Sequence, residues 1–135
     1  MLPKFRAWRT ATKTMHKVAS LAFDDVGFIM KSAIVIEGEY NLCPVSNSEI
    51  ILMQSTGLFD SAGVEIYLGD IVQREYEYGP ASIAPIIYVP RCAKFMLNQK
   101  NEKGGWDTDV DVYKTTKLTV LGNRYQHPHL LDKTA

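Results

Sequence analysis

Three aspartates, Asp107, Asp109 and Asp111, alternate with other residues, and carboxylates at this spacing begin a calcium-binding loop. An EF-hand loop also needs glycine at its sixth position and glutamate at its twelfth, where this chain has Val112 and Leu118. Alternation of apolar and acidic residues is more typical of a strand with one face in water. We therefore predict a strand here and no metal site.

A second candidate for metal chemistry is the segment His127-Pro128-His129. Its neighbours do not supply the further ligands that a zinc site needs, and His16 is distant in the sequence. We predict surface histidines beside the start of a helix. The chain also has no glycine-rich phosphate loop, no G-x-S-x-G motif and no H-E-x-x-H motif. The sequence predicts no enzyme, no cofactor and no bound metal.

The N-terminal segment Lys4–Arg9 carries the third chemical signal, a cluster of basic residues around an indole. In a strand, Phe5 and Ala7 point to one face, and Arg6 and Trp8 point to the other. If Phe5 is in the core, the other face could stack on a nucleic-acid base. The favoured alternative is that Trp8 is covered by a second layer and Arg6 pairs with an acidic residue. The candidate surface for nucleic acid or a partner consists of Lys4, Arg6, Trp8 and Arg9.

The composition is that of an ordinary globular protein. The chain has 135 residues, of which 46% are hydrophobic and 22% are charged, so we expect one domain with a substantial core, residues 1–135. Its formal net charge is zero, which favours neither nucleic acid nor a membrane surface. No apolar run reaches the about 20 residues needed to span a bilayer, and no secretory signal is visible. Cys43 and Cys92 are expected to be free, buried thiols in a reducing cytoplasm.

Short strand patterns dominate the chain and predict an all-β protein of antiparallel strands. A hairpin loop is expected at residues 24–27, an irregular segment at 41–48, and a polar loop at 98–105. The prolines of segment 76–90 predict a loop or an edge strand that pairs only briefly, at 86–89. The tail 127–133 is expected to be helical. Strands are predicted at residues 4–9, 16–23, 27–37, 49–54, 64–67, 70–75, 93–97, 106–113 and 118–122.

Turn residues punctuate the middle of the chain. An Asp-Ser-Ala-Gly turn occupies residues 60–63, and a Gly69-Asp70 step leads into the strand that begins there. We predict that Gly69 has a positive φ, which only glycine adopts without strain. The side chains predicted to be buried are Phe5, Ile51, Met53, Leu58, Ile66, Tyr67, Ile71, Val120, Leu121 and Tyr125.

Three blocks of the chain resemble the YopX family of small phage and prophage proteins. They are residues 4–8, residues 53–72, and residues 120–131, in the order found in the family. The resemblance implies an SH3-type barrel or roll with an added N-terminal β segment and a short C-terminal helical turn, and it implies no activity. The structural signature of the resemblance consists of Gly57, Asp60, Gly63, Tyr67, Gly69, Asp70, Gly122, Tyr125 and Pro128.

Two functional hypotheses follow. The first is a non-enzymatic accessory protein in the bacterial cytoplasm that binds a host or phage macromolecule as an adaptor. The alternative is a nucleic-acid-binding protein that uses the basic N-terminal face. Because short strands leave edges and the net charge is zero, we also expect a homo-oligomer, and we expect no membrane partner.

Overall fold

Strands form almost all of the regular structure, which we describe from a computed structural model. It describes residues 4–26, 29–38, 40–78, 80–101, 104–109 and 117–132. A short 3₁₀ turn at Asn47–Glu49 precedes β5, and the helix α1 (His129–Asp132) follows the last strand. The strands are β1 (Phe5–Arg9), β2 (Thr14–Val26), β3 (Ile29–Glu37), β4 (Leu42–Val45), β5 (Ile50–Phe59), β6 (Glu65–Tyr67), β7 (Asp70–Arg74), β8 (Ser82–Val89), β9 (Lys94–Asn101), β10 (Gly104–Asp109) and β11 (Leu118–Asn123).

The chain divides into two compact units, Met1–Gln54 and Ser55–Ala135. β5 runs through the boundary, so its first half pairs with β1 and its second half pairs with β6. All strand pairs in the described part of the chain are antiparallel. The all-β prediction and the short C-terminal helical turn are confirmed, whereas the SH3-type barrel and the single domain stay predictions.

In the first unit, the strand order is β4-β3-β2-β1-β5. β1 therefore has a hydrogen-bonded neighbour on each side, with Ala7 opposite His16 of β2 and opposite Leu52 of β5. One face of these strands carries the core, because side chains alternate between the two faces of a sheet. The buried cluster contains Ala7, Ile34, Ile36, Val45 and Ile50.

In the second unit, the strand order is β10-β9-β8-β7-β11. A second core lies on one face of this sheet and includes Ile66 from β6. Phe95 and Val120 pack against it from positions that are partly exposed. The fully packed members of this cluster are Ile66, Val72, Ala84, Ile86, Leu97 and Leu118.

The strand predictions hold for β1, β3, β6, β7 and β11 to within a few residues. Other segments differ. Residues 42–45 form the strand β4 where the sequence predicted irregular structure, because Val45 joins the buried core and pairs with Ile34. The prediction of a polar loop at 98–105 is wrong for most of these residues, since β9 continues to Asn101 and β10, which pairs with β9, begins at Gly104. The predicted strand at 106–113 is confirmed to residue 109, and the rest lies outside the described residues.

The largest difference is β8, which lies in the interior of its sheet although Pro85 predicted a loop or an edge. Pro85 lies opposite Ile71 of β7, whereas the pairing with β9 covers only Ile86–Val89. The pairing with β9 thus begins at Ile86, directly after Pro85, which has no N–H to donate. Proline is accommodated because the two ladders of β8 cover different halves of the strand, Ser82–Pro85 pairing with β7 and Ile86–Val89 with β9.

The predicted core is correct for Met53, Ile66 and Ile71, each at most 1% exposed. The prediction that Leu121 is buried is wrong, because 36% of its surface is exposed. A register shift between Val120 and Gly122 places it in a β-bulge, so the alternation that predicted burial is broken there. Phe5, Ile51, Leu58, Tyr67, Val120 and Tyr125 are partly buried.

Two further sequence predictions concern the cysteines and the membrane. Cys43 and Cys92 are free, but Cys92 is exposed in the turn after β8, not buried. In the part of the chain that the structure describes, no helix has the length and apolar character required to span a membrane.

The contrast between Ile71 and Leu121 gives a test of the register. Truncating Ile71 to alanine should lower the free energy of unfolding by about 2–5 kcal/mol, since the side chain is fully packed. Leu121→Ala should lower it by less, about 1 kcal/mol, because 36% of this leucine is exposed at the bulge. Urea unfolding of both variants measures the difference. Equal losses would show that the bulge is misplaced.

Candidate functional site

The signature at residues 57–72 is organised around the buried carboxylate of Asp60, which is 7% exposed. Its Oδ1 accepts hydrogen bonds from the backbone N–H groups of Ala62 at 2.9 Å and Val64 at 2.8 Å. The Asp60 N–H donates to the Val64 carbonyl at 2.8 Å, and Gly63 completes the turn with a φ of 83°. The carboxylate therefore closes the predicted turn between β5 and β6.

The second oxygen of Asp60 joins this turn to β11. Oδ2 accepts a hydrogen bond from the Val120 N–H at 2.9 Å, and the Ser61 N–H donates to the Leu118 carbonyl at 3.0 Å. Among the described strands, β11 lies at the end of its sheet and pairs with β7 alone. Residues of the Asp60 turn thus form hydrogen bonds with backbone groups on the edge of β11 that faces away from β7.

These contacts set the charge state of Asp60. Burial by itself raises the pKa of the carboxyl group, but the backbone N–H groups of Val120, Val64, Ala62 and Gly63 lower it. The hydrogen bonds prevail, and the pKa lies below its ordinary value. Asp60 is therefore ionised near neutral pH, and its negative charge is used to hold backbone, not to react.

A second buried aspartate holds the turn before β7. Asp70 is 1% exposed, and its Oδ2 accepts a hydrogen bond from the Tyr67 N–H at 2.7 Å. Gly69 has a φ of 89°, which confirms the predicted positive value. Its N–H donates to the Ile86 carbonyl at 3.0 Å, and its own carbonyl accepts from the Arg124 N–H at 2.9 Å. This turn therefore connects three segments of the second unit.

Hydrogen bonds to Asn123 fix the backbone at the C-terminal part of the signature. This residue was not predicted from the sequence. Its Oδ1 accepts hydrogen bonds from the N–H groups of Tyr125 at 3.1 Å and Gln126 at 2.8 Å. Its N–H donates to Nδ1 of His127 at 3.2 Å, and a side chain at Gly122 would collide with the same imidazole ring. Aspartate or asparagine at such positions is a turn signal, which could have identified Asn123.

The remaining signature residues also lie at bends of the backbone. Gly57 has a φ of 78° and its N–H donates to Ser55 Oγ at 3.1 Å, within the irregular part of the β5–β6 pairing. Tyr67 lies opposite Ser55. Pro128 precedes α1 and accepts the Leu131 N–H at 3.1 Å. Among the described residues, the signature side chains and their backbone thus form hydrogen bonds that fix turns.

The N-terminal candidate residues do not form one open surface. Lys4 is exposed, Arg6 is partly buried with its Nη2 3.7 Å from Met53 Sδ, and Trp8 is only 8% exposed. Arg9 forms an ion pair with Glu49, because its Nη2 is 3.8 Å from Glu49 Oε2. The favoured interpretation of a covered Trp8 agrees with this geometry. A buried indole offers no face on which a base could stack.

The metal candidates are not brought into a common site by the described residues. No group of three or more histidine, cysteine, aspartate or glutamate side chains is placed for a metal ion in that part of the chain. His127 uses its Nδ1 in the turn after β11, and its ring centroid is 6.2 Å from that of His129. The side chains of Asp107, Asp109 and Asp111 lie outside those described.

A polar and aromatic cluster in the second unit was not predicted from the sequence. Arg74, Tyr76, Ser82 and Gln99 form this group, which we name the Tyr76 cluster. Gln99 is 4% exposed, and its Nε2 donates to Tyr76 Oη at 2.9 Å and to Ser82 Oγ at 3.3 Å. The two hydroxyl oxygens are 3.1 Å apart, and the Arg74 Cζ lies 4.9 Å from the centre of the Tyr76 ring.

The strand register explains where the Tyr76 cluster lies. Arg74 is opposite Ser82, two residues beyond Val72 and Ala84, which are opposite each other in the core. Residues two apart on a strand share a face, so the cluster extends the core face of the sheet toward the end of β7. A polar residue on a core face could have revealed it, but only with the register of β8 known.

The segment after β7 adds exposed groups beside this cluster. Glu75, Tyr76, Glu77 and Tyr78 are all exposed, and Tyr78 reaches 87% of full exposure, against 38% for Tyr76. The cluster thus combines a buried amide, two hydroxyl groups and a guanidinium with aromatic surface in water. Such a group can bind a partner by hydrogen bonds, charge and apolar contact.

Replacing Asp60 by asparagine should lower the free energy of unfolding by about 1–3 kcal/mol at neutral pH, because the amide NH₂ would face backbone donors. The lowered pKa also fixes the pH dependence. The contribution of the carboxylate is fully present above its ordinary pKa near 4 and is lost as pH falls through the lower folded value.

The measurement for Asp60 is urea unfolding of both proteins from pH 7 downward. The stability difference between wild type and Asp60→Asn should be constant above about pH 5 and shrink below about pH 4. The other carboxyl groups are common to both proteins and cancel in this difference. A difference that grows on acidification would contradict the assigned role.

The turn at Gly69 gives a separate test. Gly69→Val should destabilise the fold by at least about 1–3 kcal/mol, because a β-branched residue is strained at a φ of 89°. Ala62→Val is the matched control, since Ala62 is exposed in a neighbouring turn and is not among the described residues with positive φ. Thermal unfolding of both variants is the measurement. An unchanged melting temperature for Gly69→Val would refute the turn geometry.

Comparisons with known proteins identify a family and a structure with a similar fold. A search of the curated proteins found no match. The crystal structure of protein EF1440 from Enterococcus faecalis is similar at 23% identity, with a TM-score of 0.55 over 97% of this chain and 99% of that one. The likeness shows a shared fold. A family model described as YopX protein matches residues 4–132, which is nearly the whole length, and the chain therefore belongs to the YopX family.

Proposed function

We propose that this chain is a non-enzymatic accessory protein of a phage or prophage. It binds a host or phage macromolecule in the bacterial cytoplasm, as an adaptor built on an SH3-type barrel. Membership of the YopX family supports the phage context but names no activity. The observation that carries the proposal is the Tyr76 cluster together with the exposed ring of Tyr78.

The residue types of this surface support binding to a protein. Tyrosine and arginine are enriched among the residues that dominate binding energy at protein interfaces. Tyr76 is held on two sides, by the Arg74 guanidinium against its ring and by Gln99 at its hydroxyl group. A side chain already fixed in the free protein loses little conformational entropy when a partner binds. These properties support a binding contact at the exposed residues 75–78 after β7.

Self-association is a second kind of partner contact, through the strand β4. Among the described strands, β4 pairs only with β3, and Leu42 is 64% exposed beside Tyr40, which is 86% exposed. An edge strand with exposed apolar side chains is a surface for pairing with another chain. Pro44 has no N–H and limits such pairing to part of the strand. We place the proposed homo-oligomer contact here.

Site-specific photo-crosslinking in bacterial cells tests both contacts. A benzophenone amino acid replaces Tyr78 or Leu42 in the full chain, and Thr12, exposed in the turn after β1, is the control position. Position 78 should give a discrete product with a different protein, identified by mass spectrometry. Position 42 should give a product of two copies of the 15.2 kDa chain.

The control decides the outcome of the crosslinking. Products at position 78 no stronger than those at Thr12 would contradict the adaptor proposal. A product at position 78 that nuclease treatment removes would instead support nucleic-acid binding, and no dimer at position 42 would contradict self-association there.

A further inference from the structure

The Tyr76 cluster contains more hydrogen-bond donors than its internal hydrogen bonds use. Gln99 Nε2 donates to both hydroxyl oxygens, so neither hydroxyl group needs its own hydrogen to satisfy the buried amide. The hydroxyl groups of Tyr76 and Ser82 are 3.1 Å apart, and one donates to the other. Whichever of the two donates, the hydrogen of the other hydroxyl group is not used in these three hydrogen bonds.

The guanidinium beside these hydroxyl groups also has unused hydrogen-bond donors. Arg74 lies against the Tyr76 ring, and its guanidinium makes no hydrogen bond or ion pair with a described residue. Stacking on a ring leaves the N–H groups at the guanidinium edge available to an acceptor. A donor-rich group of this kind binds a carboxylate or a phosphate.

The charges around the cluster distinguish between these two ligands. Glu75 and Glu77 are exposed, and neither carboxylate forms an ion pair with a described residue. Two negative charges next to Arg74 repel a polyanion such as a nucleic-acid backbone. They attract a basic side chain that accompanies a single carboxylate. Tyr78 offers an aromatic face for the apolar part of such a segment.

We infer that the Tyr76 cluster is a carboxylate-binding site for a protein segment in which an acidic residue is followed by a basic one. The acidic side chain accepts hydrogen bonds from the Arg74 guanidinium and from the free hydroxyl hydrogen of Tyr76 or Ser82. The basic side chain lies against Glu75 and Glu77. This inference rests on the proposed function and names the chemistry of its partner.

The test is an NMR titration of the full chain with short capped peptides. The probes are N-acetylated, C-amidated Ala-Asp-Lys-Ala and its isosteric counterpart Ala-Asn-Lys-Ala, together with a single-stranded thymidine oligonucleotide. The resonances followed are the Arg74 Nε–H and the Gln99 side-chain amide. The Asp peptide should shift both with a Kd of about 1 mM, and the Asn peptide should bind about tenfold more weakly.

Variants separate the site from the rest of the surface. Arg74→Met should weaken binding of the Asp peptide by about tenfold or more, and Arg74→Lys should retain part of it, since lysine keeps the charge but not the fork of donors. Arg91→Met removes an exposed arginine in the turn after β8 and should leave binding unchanged. Amide spectra of each variant show whether its fold is intact.

Several results would overturn the inference. They are equal binding of the Asp and Asn peptides, no shift at millimolar concentration, unchanged binding by Arg74→Met, or tighter binding of the oligonucleotide. A partner crosslinked through position 78 whose capture is insensitive to Arg74→Met would refute the carboxylate site and leave the adaptor function standing. Failure of that capture with peptide binding intact would remove the function and leave the site.

Discussion

The fold of the second unit depends on one carboxylate that accepts a hydrogen bond in the position where a neighbouring strand would otherwise accept it. β11 supplies Leu118 to the core, yet it pairs with only one neighbour in the sheet. On its other side, Asp60 Oδ2 accepts the Val120 N–H where the carbonyl of a further strand would lie. Because Oδ1 of the same group closes the β5–β6 turn, a single side chain both ends one hairpin and covers a strand edge. An edge covered in this way is not available for pairing with another chain.

Asp70 and Asn123 repeat this solution at two other turns. Each is buried, and each accepts backbone N–H groups that the turn leaves without carbonyl partners. A buried polar group is tolerated only when its hydrogen bonds are made, so these side chains and the local backbone require one another. The family signature is therefore a set of backbone constraints. This explains why a strong resemblance across the whole chain indicates the fold and is silent about chemistry.

Features that depend on residues close together in the sequence could be predicted, whereas features that depend on distant residues could not. The turns at Gly63 and Gly69 are local, and glycine with aspartate is enough to predict them. The position of β8 depends on distant residues, because Pro85 is tolerated only where the pairing with β7 ends and the pairing with β9 begins. Leu121 was misassigned for the same reason, since a bulge depends on the partner strand. The Tyr76 cluster could not be predicted, because its members meet only once the strands are in register.

The two tyrosines after β7 would contribute differently to the proposed complex. Tyr76 is fixed by Arg74, Ser82 and Gln99, so its contribution to a complex is limited mainly by the area it buries. Tyr78 is almost fully exposed and must lose rotational freedom when a partner binds. Burial of its ring offsets that entropy cost only if the partner covers most of it. In the proposed complex, Tyr76 and Arg74 would therefore select the partner by geometry, whereas Tyr78 would add affinity to a partner already in place.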